Sequence, residues 1–167
     1  ITGIDLEGET APLIKPKNEW YAVDLATTGF GQGINVTPVE LLTAFSSIAN
    51  DGIMMEPHVV GKVLDENGKI STIKPKELGR PLSSAASKVM TEVLVNAVEK
   101  GEAKFAKIKG YRVAGKTGTA SIPVAGHYDP NQTIASFIGF APASDPKFVM
   151  IVIVDRPTSS IYGAETA

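Results

Sequence analysis

Apolar residues return every three or four positions between residues 38 and 49, the spacing of one helix face. Thr37 can cap such a helix, Pro38 suits its first position, and Glu40 completes a capping box with Thr37. The apolar stripe consists of Val39, Leu42, Phe45, Ile48 and Ala49. The pattern predicts a helix that begins at Pro38 and is ended by Gly52 as a left-handed cap.

A second helix is predicted from about Ser84 to Lys100. Ser83 or Ser84 can cap its first turn, and Gly101 closes it. Its expected buried face consists of Met90, Val93, Leu94, Ala97 and Val98. We interpret the methionine as a packing residue, since methionine fills irregular gaps in apolar interfaces.

The segment between these two helices has the pattern of a β-hairpin. Residues 57–64 predict one strand, Asn67-Gly68 the turn, and residues 69–73 the returning strand. The chain before the first helix lacks clear periodicity. There we expect irregular surface structure over residues 1–20 and a glycine-rich loop over residues 26–33.

Three further strands are predicted in the last third of the chain, at residues 112–122, 133–140 and 148–154. A short loop at residues 142–146 joins the last two. Both of these are almost wholly apolar in stretches, which is typical of central strands covered on two faces.

Composition limits the function classes. Hydrophobic residues make up 43% of the 167 residues and charged residues 20%, which indicates a globular chain. A net charge of −2 gives no electrostatic case for nucleic acid, and the absence of cysteine excludes disulfides and thiolate metal sites. His58 and His127 have no partner at ligand spacing, so we predict no metal site and no cofactor. No apolar run has transmembrane length and no signal peptide is visible; since residue 1 is Ile, we expect the natural start elsewhere.

One stretch fits two catalytic patterns with opposite meanings. Residues 110–117 match the phosphate-binding loop G-x-x-x-x-G-K-[ST], while Lys116-Thr117-Gly118 is the K-T-G element of penicillin-binding proteins and serine β-lactamases. A phosphate-binding loop requires a buried strand before it and a helix that opens at the Lys-Thr pair. Neither is predicted here, because residues 103–109 alternate charged and apolar positions and Pro123 follows closely. A nucleotide-binding protein stays open as an alternative, since Asp155 ends an apolar strand as a magnesium-binding acid would.

The K-T-G interpretation requires a strand at the lip of a cleft. Lys116 would point into the site, and Gly118 would lack a side chain so that a ligand could lie against the strand backbone. The S-x-x-K serine of this chemistry must open a helix so that serine and lysine share one face. The only match, Ser71 to Lys74, lies on the predicted hairpin with Pro75 behind it, so we interpret it as coincidence. No asparagine has a serine two residues before it, so the S-x-N element is absent.

The order of several short stretches resembles one known family along nearly the full chain. They are residues 31–33 followed by 36–38, then 48–52, 57–60, 113–120, 134–142, 152–155 and Tyr162-Gly163. Together they resemble the C-terminal part of the transpeptidase domain of class B, monofunctional penicillin-binding proteins, with the division type most similar.

The resemblance implies a fold and an activity. The fold would be an α/β (α+β) sandwich in which helices cover both faces of a five-stranded antiparallel sheet. The activity would be that of a D-Ala-D-Ala transpeptidase that cross-links peptidoglycan by serine acyl transfer and is acylated by β-lactams. No cofactor is implied. Implied partners are peptidoglycan stem peptides, β-lactams, the upstream half of the same domain and division-complex membrane proteins. A membrane anchor and a periplasmic location are also implied.

The resemblance also assigns roles on the K-T-G strand. Lys116 would line the active site and sustain its positive potential. The hydroxyls of Thr117 and Thr119, beside Gly118, would bind the terminal carboxylate of the peptide or drug. The backbone amide of Thr119 would supply half of the oxyanion hole. Thus Lys116 and Thr119 are the expected catalytic residues, and Thr117, Gly118 and Thr119 the expected substrate-binding residues.

The chain departs from the family pattern in what it lacks. The S-x-x-K and S-x-N elements and the first two strands of the sheet would precede residue 1, and the last helix would begin near residue 163. We therefore expect residues 1–167 to be the C-terminal portion of a single transpeptidase domain that is inactive in isolation. A non-catalytic, peptide-binding module that retains K-T-G is the second alternative.

Overall fold

The computed structural model describes residues 1–124 and 127–167 and contains four helices within those ranges. The helices are α1 (Ala22–Thr28), α2 (Pro38–Ala49), α3 (Ser84–Lys100) and α4 (Gly163–Thr166). The strands are β1 (Met54–Met55), β2 (Lys62–Leu64), β3 (Ile70–Thr72), β4 (Glu77–Gly79), β5 (Ala114–Val124), β6 (His127–Ala141) and β7 (Phe148–Asp155). Short 3-10 turns occupy Lys17–Glu19 and Lys104–Ala106.

The long strands form one antiparallel sheet in the order β5-β6-β7. Its register places Lys116 of β5 opposite Ile138 of β6, and Ile138 opposite Ile151 of β7. Two small antiparallel pairs, β1 with β4 and β2 with β3, lie outside it. The combination of helices with antiparallel sheets confirms the predicted fold class.

Helix α2 has the predicted N-terminal cap. The Glu40 amide donates to Thr37 Oγ1 at 3.3 Å, and the Thr37 amide donates to the Glu40 carboxylate at 2.8 Å. The predicted C-terminus is corrected by one residue, because Asn50 is the C-cap and the left-handed residue that follows it is Asp51, with a φ of 52°. Gly52 does have a left-handed φ of 87°. Glycine is required there, since a Cβ would lie 2.1 Å from the Leu82 carbonyl oxygen.

Helix α3 has the predicted bounds, with Ser83 Oγ accepting from the Ala86 amide at 3.1 Å. Its predicted buried face is partly wrong. The buried apolar residues of the helix are Leu94, Val95 and Val98. Met90 and Val93 are exposed, because the buried stripe of α3 runs through Ser87, Leu94, Val95 and Val98 on a neighbouring helical face.

The hairpin is shorter than predicted, although its turn is confirmed. Within the hairpin, the paired residues are Lys62–Leu64 of β2 and Ile70–Thr72 of β3. Gly68 in the turn has a φ of 77°. Residues 57–61 form no strand. There the amides of Val59 and Val60 donate to the carboxylate of Asp5, at 2.7 and 2.8 Å, instead of to a neighbouring strand.

Three elements lie outside the predicted ones, helix α1 and strands β1 and β4. Helix α1 covers the first part of the predicted glycine-rich loop, and left-handed glycines follow it at Gly31 and Gly33. The two-residue strand β1 pairs with β4. The two strands are too short to show an alternating pattern, and α1 buries none of its seven residues.

Both faces of the large sheet contact helices. On one face Phe140 packs in a buried cluster with Leu94 and Ala114, and its ring meets that of Phe45 on α2 at a centroid distance of 6.0 Å. On the other face Phe137 packs in a second cluster, which Ala167 joins after α4. Residues 137 and 140 of one strand point to opposite faces, because strand side chains alternate.

Strand β7 was predicted to be a central strand covered on two faces, and this prediction is wrong for the described ranges. In the described ranges it pairs only with β6, so it lies at an edge of the sheet. Its exposed apolar side chains include Phe148, Met150 and Ile153, which are 57%, 49% and 42% exposed. Within the described ranges the large sheet therefore has three strands, whereas the family resemblance implies five. Across residues 1–124 and 127–167, the helices are all too short or too polar to cross a membrane.

Candidate active site

The K-T-G residues lie on β5, the opposite edge of the same sheet. Within the described residues β5 pairs only with β6, so the outer backbone edge of Lys116, Thr117 and Thr119 faces no other strand. The Lys-Thr pair lies inside a strand of 11 residues and opens no helix. This geometry contradicts a phosphate-binding loop, which would present helix N-terminal amides to the phosphates.

Lys116 offers a cation at this edge. Its side chain is exposed, and Nζ donates to the carbonyl oxygen of Thr117 at 2.7 Å. It forms no ion pair with any carboxylate of the described residues. An anionic ligand at the strand edge would therefore meet an ammonium group that forms no ion pair within the described residues.

Thr117 and Thr119 share one face of β5, because strand side chains alternate. The hydroxyl of Thr119 accepts a hydrogen bond from the amide of Gly163, at 3.0 Å, where α4 begins. Gly118 lies on the other face, opposite Ser136 of β6. A Cβ at residue 118 would lie 2.5 Å from Ser136 Oγ, so the glycine makes room for that serine. Substrate contact at Gly118 stays a prediction.

A cavity of about 590 Å³ lies beside the strand. It is lined by Lys116, Thr117 and Thr119 of β5, by Tyr162, Ala164 and Glu165 around α4, and by Gly101, Glu102, Lys104 and Phe105 after α3. The structure therefore brings together three of the four residues predicted from the K-T-G pattern. Gly118 does not line the cavity.

The sequence alone assigns no role to the other lining residues. Tyr162-Gly163 was noted only as a stretch that resembles the family. Nothing in the periodicity of Glu102, Lys104 or Glu165 connects them with β5, which lies at least ten residues away in the chain. With two lysines and two glutamates, the lining is of mixed charge.

The chain's S-x-x-K match does not form a nucleophile site. Ser71 is an exposed residue of β3, and Lys74 lies beyond the end of that strand. The two therefore do not share one face of a helix, which confirms the interpretation as coincidence. His58 is exposed, with Nδ1 2.9 Å from the carbonyl oxygen of Val60. The side chain of His127 lies outside the described residues.

The family model described as penicillin binding protein transpeptidase domain matches residues 1–167. This chain belongs to that transpeptidase family. The finding confirms the family predicted from the K-T-G stretch and its flanking residues.

Curated relatives of this transpeptidase-family chain include proteins from three bacterial groups. Stage V sporulation protein D of Bacillus subtilis is 40% identical over 169 residues, which cover 99% of this chain and 26% of the relative. Peptidoglycan D,D-transpeptidase FtsI of Buchnera aphidicola is 34% identical over 99% of this chain and 28% of its own length. Probable peptidoglycan D,D-transpeptidase PenA of Neisseria gonorrhoeae is 30% identical over 93% of this chain and 25% of its own length.

Solved structures share the fold. Penicillin binding protein 3 from Mycobacterium tuberculosis, complexed with ampicillin, superposes with a TM-score of 0.87 at 29% identity, over 93% of this chain and 36% of that one. The transpeptidase domain of penicillin-binding protein 3 from Burkholderia pseudomallei gives a TM-score of 0.84 at 30% identity, over 98% of this chain and 48% of that one. Of the curated relatives above, the transpeptidase-family chain spans about a quarter of the length.

Proposed function

We propose that this chain supplies the K-T-G side of the active site of a peptidoglycan D,D-transpeptidase. The observation that carries the proposal is the cavity at the edge of β5, which Lys116, Thr117 and Thr119 line together. The names of the relatives from Buchnera and Neisseria support the reaction, and the ampicillin complex of the mycobacterial protein supports β-lactams as ligands.

Carboxylate binding is the first task of this side of the site. A terminal carboxylate binds best to a cation together with hydroxyl donors on a rigid element, because charge-assisted hydrogen bonds are the stronger ones. Lys116 supplies the cation, and Thr117 and Thr119 supply the hydroxyls. Gly118 lies between them but does not line the cavity, so its contact with a ligand stays a prediction.

Stabilisation of the oxyanion is the second task. The backbone amide of Thr119 lies on the strand edge and would donate to the carbonyl oxygen as it becomes negatively charged. Removal of one such donor typically costs about 100- to 1000-fold in rate. Thr119 and Lys116 are therefore the residues of this chain to which we assign catalytic roles.

The chemistry itself is acyl transfer. A serine Oγ attacks the carbonyl carbon of the penultimate D-Ala, the terminal D-Ala leaves as an amine that takes up a proton, and an acyl-serine remains. The amine of a second stem peptide then attacks the acyl-serine, loses a proton, and returns the serine to its hydroxyl form. We propose that the serine and its lysine base belong to the upstream half of the same domain, of which residues 1–167 are the C-terminal portion.

The same relatives support a proposal for the cellular setting. A sporulation protein and FtsI among them support a role in cell-wall synthesis at division. We place the intact protein at the extracytoplasmic, periplasmic face of the membrane, held by an anchor outside this chain, with division-complex membrane proteins as partners.

One observation favours a second function, a non-catalytic module that binds peptides. The described residues form the proposed carboxylate-binding edge, but no helix among them carries a serine and a lysine at the i, i+3 spacing of S-x-x-K. The two functions differ in covalent chemistry and not in carboxylate binding. The presence of an acylated serine in the full-length protein therefore separates them.

Labelling of the full-length protein with a fluorescent penicillin tests the proposal. We expect labelling of the unmodified protein, and a loss of roughly ten- to hundredfold in acylation rate for Lys116→Ala and for Thr117→Val, since each removes a charge-assisted contact. Lys109→Ala and Thr158→Val, which change the same residue types elsewhere on the surface, serve as matched controls. No label on the unmodified protein, with penicillin binding retained non-covalently, would favour the peptide-binding module.

A further inference from the structure

The residues that lead into α4 are bound to the sheet at two points. Thr133 on β6, which is buried, donates its hydroxyl to the carbonyl oxygen of Ile161 at 2.6 Å. Two residues later the amide of Gly163 donates to Thr119 Oγ1 at 3.0 Å. The segment is therefore held on both sides of Tyr162, so the Gly163 amide has a defined direction relative to β5.

Close packing fixes the same amide. Gly163 is buried, and a Cβ at that position would lie 2.1 Å from the carbonyl oxygen of Gly118 and 2.8 Å from that of Ser136. Any side chain would therefore push the start of α4 away from the strand. Since Thr119 is adjacent to Gly118, such a shift would also break the hydrogen bond to the Thr119 hydroxyl.

The bond restricts the direction of the Thr119 hydroxyl proton. A threonine hydroxyl carries one proton and two lone pairs. The Gly163 amide occupies one lone pair, and the proton cannot point at an N–H donor. Thr119 is exposed and lines the cavity, and its hydroxyl donates to no acceptor among the described residues. The proton is therefore free to point into the cavity.

We propose that Gly163 is a positioning residue whose backbone amide orients the Thr119 hydroxyl as a hydrogen-bond donor toward the bound ligand. An accepted hydrogen bond also polarises the hydroxyl and strengthens the bond that it donates. The site is thereby set for a ligand group that only accepts, such as a carboxylate. This inference rests on the proposed function for the identity of the ligand, but not for the hydrogen bond itself.

Amide hydrogen exchange in glycine-labelled full-length protein tests the hydrogen bond and needs no measurement of enzyme activity. We expect the Gly163 amide to be protected, to exchange roughly tenfold faster in Thr119→Val, and to keep its protection in Thr119→Ser, which retains the hydroxyl. Equal exchange in the unmodified protein and Thr119→Val would overturn the inference.

Acylation kinetics test the consequence. Glycolic acid in place of Gly163 creates a backbone ester that removes the N–H without adding any side chain. We expect roughly a tenfold slower acylation by a penicillin that carries its free carboxylate, and little further loss when the ester is combined with Thr119→Val. The same ester at Gly8, whose surroundings are open, is the matched control.

The outcomes separate this inference from the proposed function. If the ester slows acylation as much in Thr119→Val as in the unmodified protein, the inference is overturned, because the amide then acts on something other than that hydroxyl. An unmodified protein that penicillin does not acylate would instead overturn the proposed function. In that case the exchange data alone would still decide whether Gly163 orients Thr119.

Discussion

The ring of Phe137 lies so close to Gly115 that a Cβ at residue 115 would be 2.4 Å from its Cζ atom. Gly139, which pairs with Gly115 across β5 and β6, lies under the same ring, with a Cβ position 2.9 Å from Cε1. The aromatic ring therefore covers two adjacent glycines on one face of the sheet. Lys116 follows Gly115 directly, so this packing sets the strand path at the K-T-G residues.

Gly115→Ala should destabilise the protein, because the added methyl group collides with a buried ring. We expect a loss of about 1–3 kcal/mol in the free energy of unfolding, which is typical for overpacking. Gly61→Ala is the matched control, since no atom lies within 4 Å of the Cβ position there. Denaturant unfolding of the full-length protein measures both.

A second substitution checks whether the Phe137 ring causes this loss of stability. Phe137→Leu removes the ring atoms that meet residue 115, so Gly115→Ala should cost clearly less in that background. Additive losses for the two substitutions would show that the ring is not the cause.

Strand β7 leads to a prediction about solution behaviour. It presents an unpaired backbone edge within the described residues and exposes Phe148, Met150 and Ile153. Long apolar edges of this kind pair with other chains. We expect the isolated 167-residue chain to self-associate in sedimentation velocity runs at rising concentration.

Met150→Lys should reduce this association, because a charge on an edge strand opposes pairing between copies. Val89→Lys on α3 places the same charge at another exposed apolar residue and should have less effect. A monodisperse monomer at high concentration, with cooperative unfolding, would contradict the prediction.

Asp5 links the N-terminal segment to residues 57–61 in a pH-dependent way. Its pKa is lowered from the usual 3.8, first by the hydrogen bond from the Val59 amide and then by that from Val60. Because the folded-state pKa is the lower one, the stabilisation is present above pH 3.8 and is lost as the pH falls through the folded value. Asp5→Asn should remove this dependence while keeping one acceptor oxygen.

An NMR titration checks the prediction. The Val59 and Val60 amide shifts should follow the protonation of Asp5 at a pKa below 3.8, and they should not titrate in Asp5→Asn. A carboxyl group that titrates at or above 3.8, or amides that do not respond, would refute the link.

Local sequence signals predicted the elements that have a full period or a complete cap. The bounds of α3 and the cap of α2 followed from residues that lie next to each other in the chain. The K-T-G strand was predicted for the same reason, since Gly118 and the β-branched residues around it oppose a helix.

Features that depend on distant residues could not be predicted. Residues 57–61 look like a strand, but the carboxylate of Asp5, more than fifty positions earlier, takes the amides that a strand would use. Likewise Met90 and Val93 fit a helical stripe, yet α3 buries a neighbouring face, on which Ser87, Leu94 and Val98 lie. The cavity combines residues from three segments, and only the fold brings Tyr162 beside Thr119.

The last prediction concerns covalent chemistry in the isolated chain. Acyl transfer requires a nucleophile and a base within hydrogen-bond distance, and an oxyanion hole alone supplies neither. Ser71 is on the exposed hairpin and Lys74 lies beyond its strand. Ser136 lies on the same sheet face as Lys116, but it packs against Gly118 on the neighbouring strand.

We therefore expect the purified 167-residue chain to form no covalent adduct with a fluorescent penicillin. Labelling should appear only when a polypeptide with the upstream half of the domain is added, and the label should map to that polypeptide. Intact-mass analysis followed by peptide mapping makes the measurement, with full-length protein as the positive control. An adduct on Ser71 or Ser136 that Ser71→Ala or Ser136→Ala removes would show that this chain carries its own nucleophile, and would refute the division of the active site between two halves.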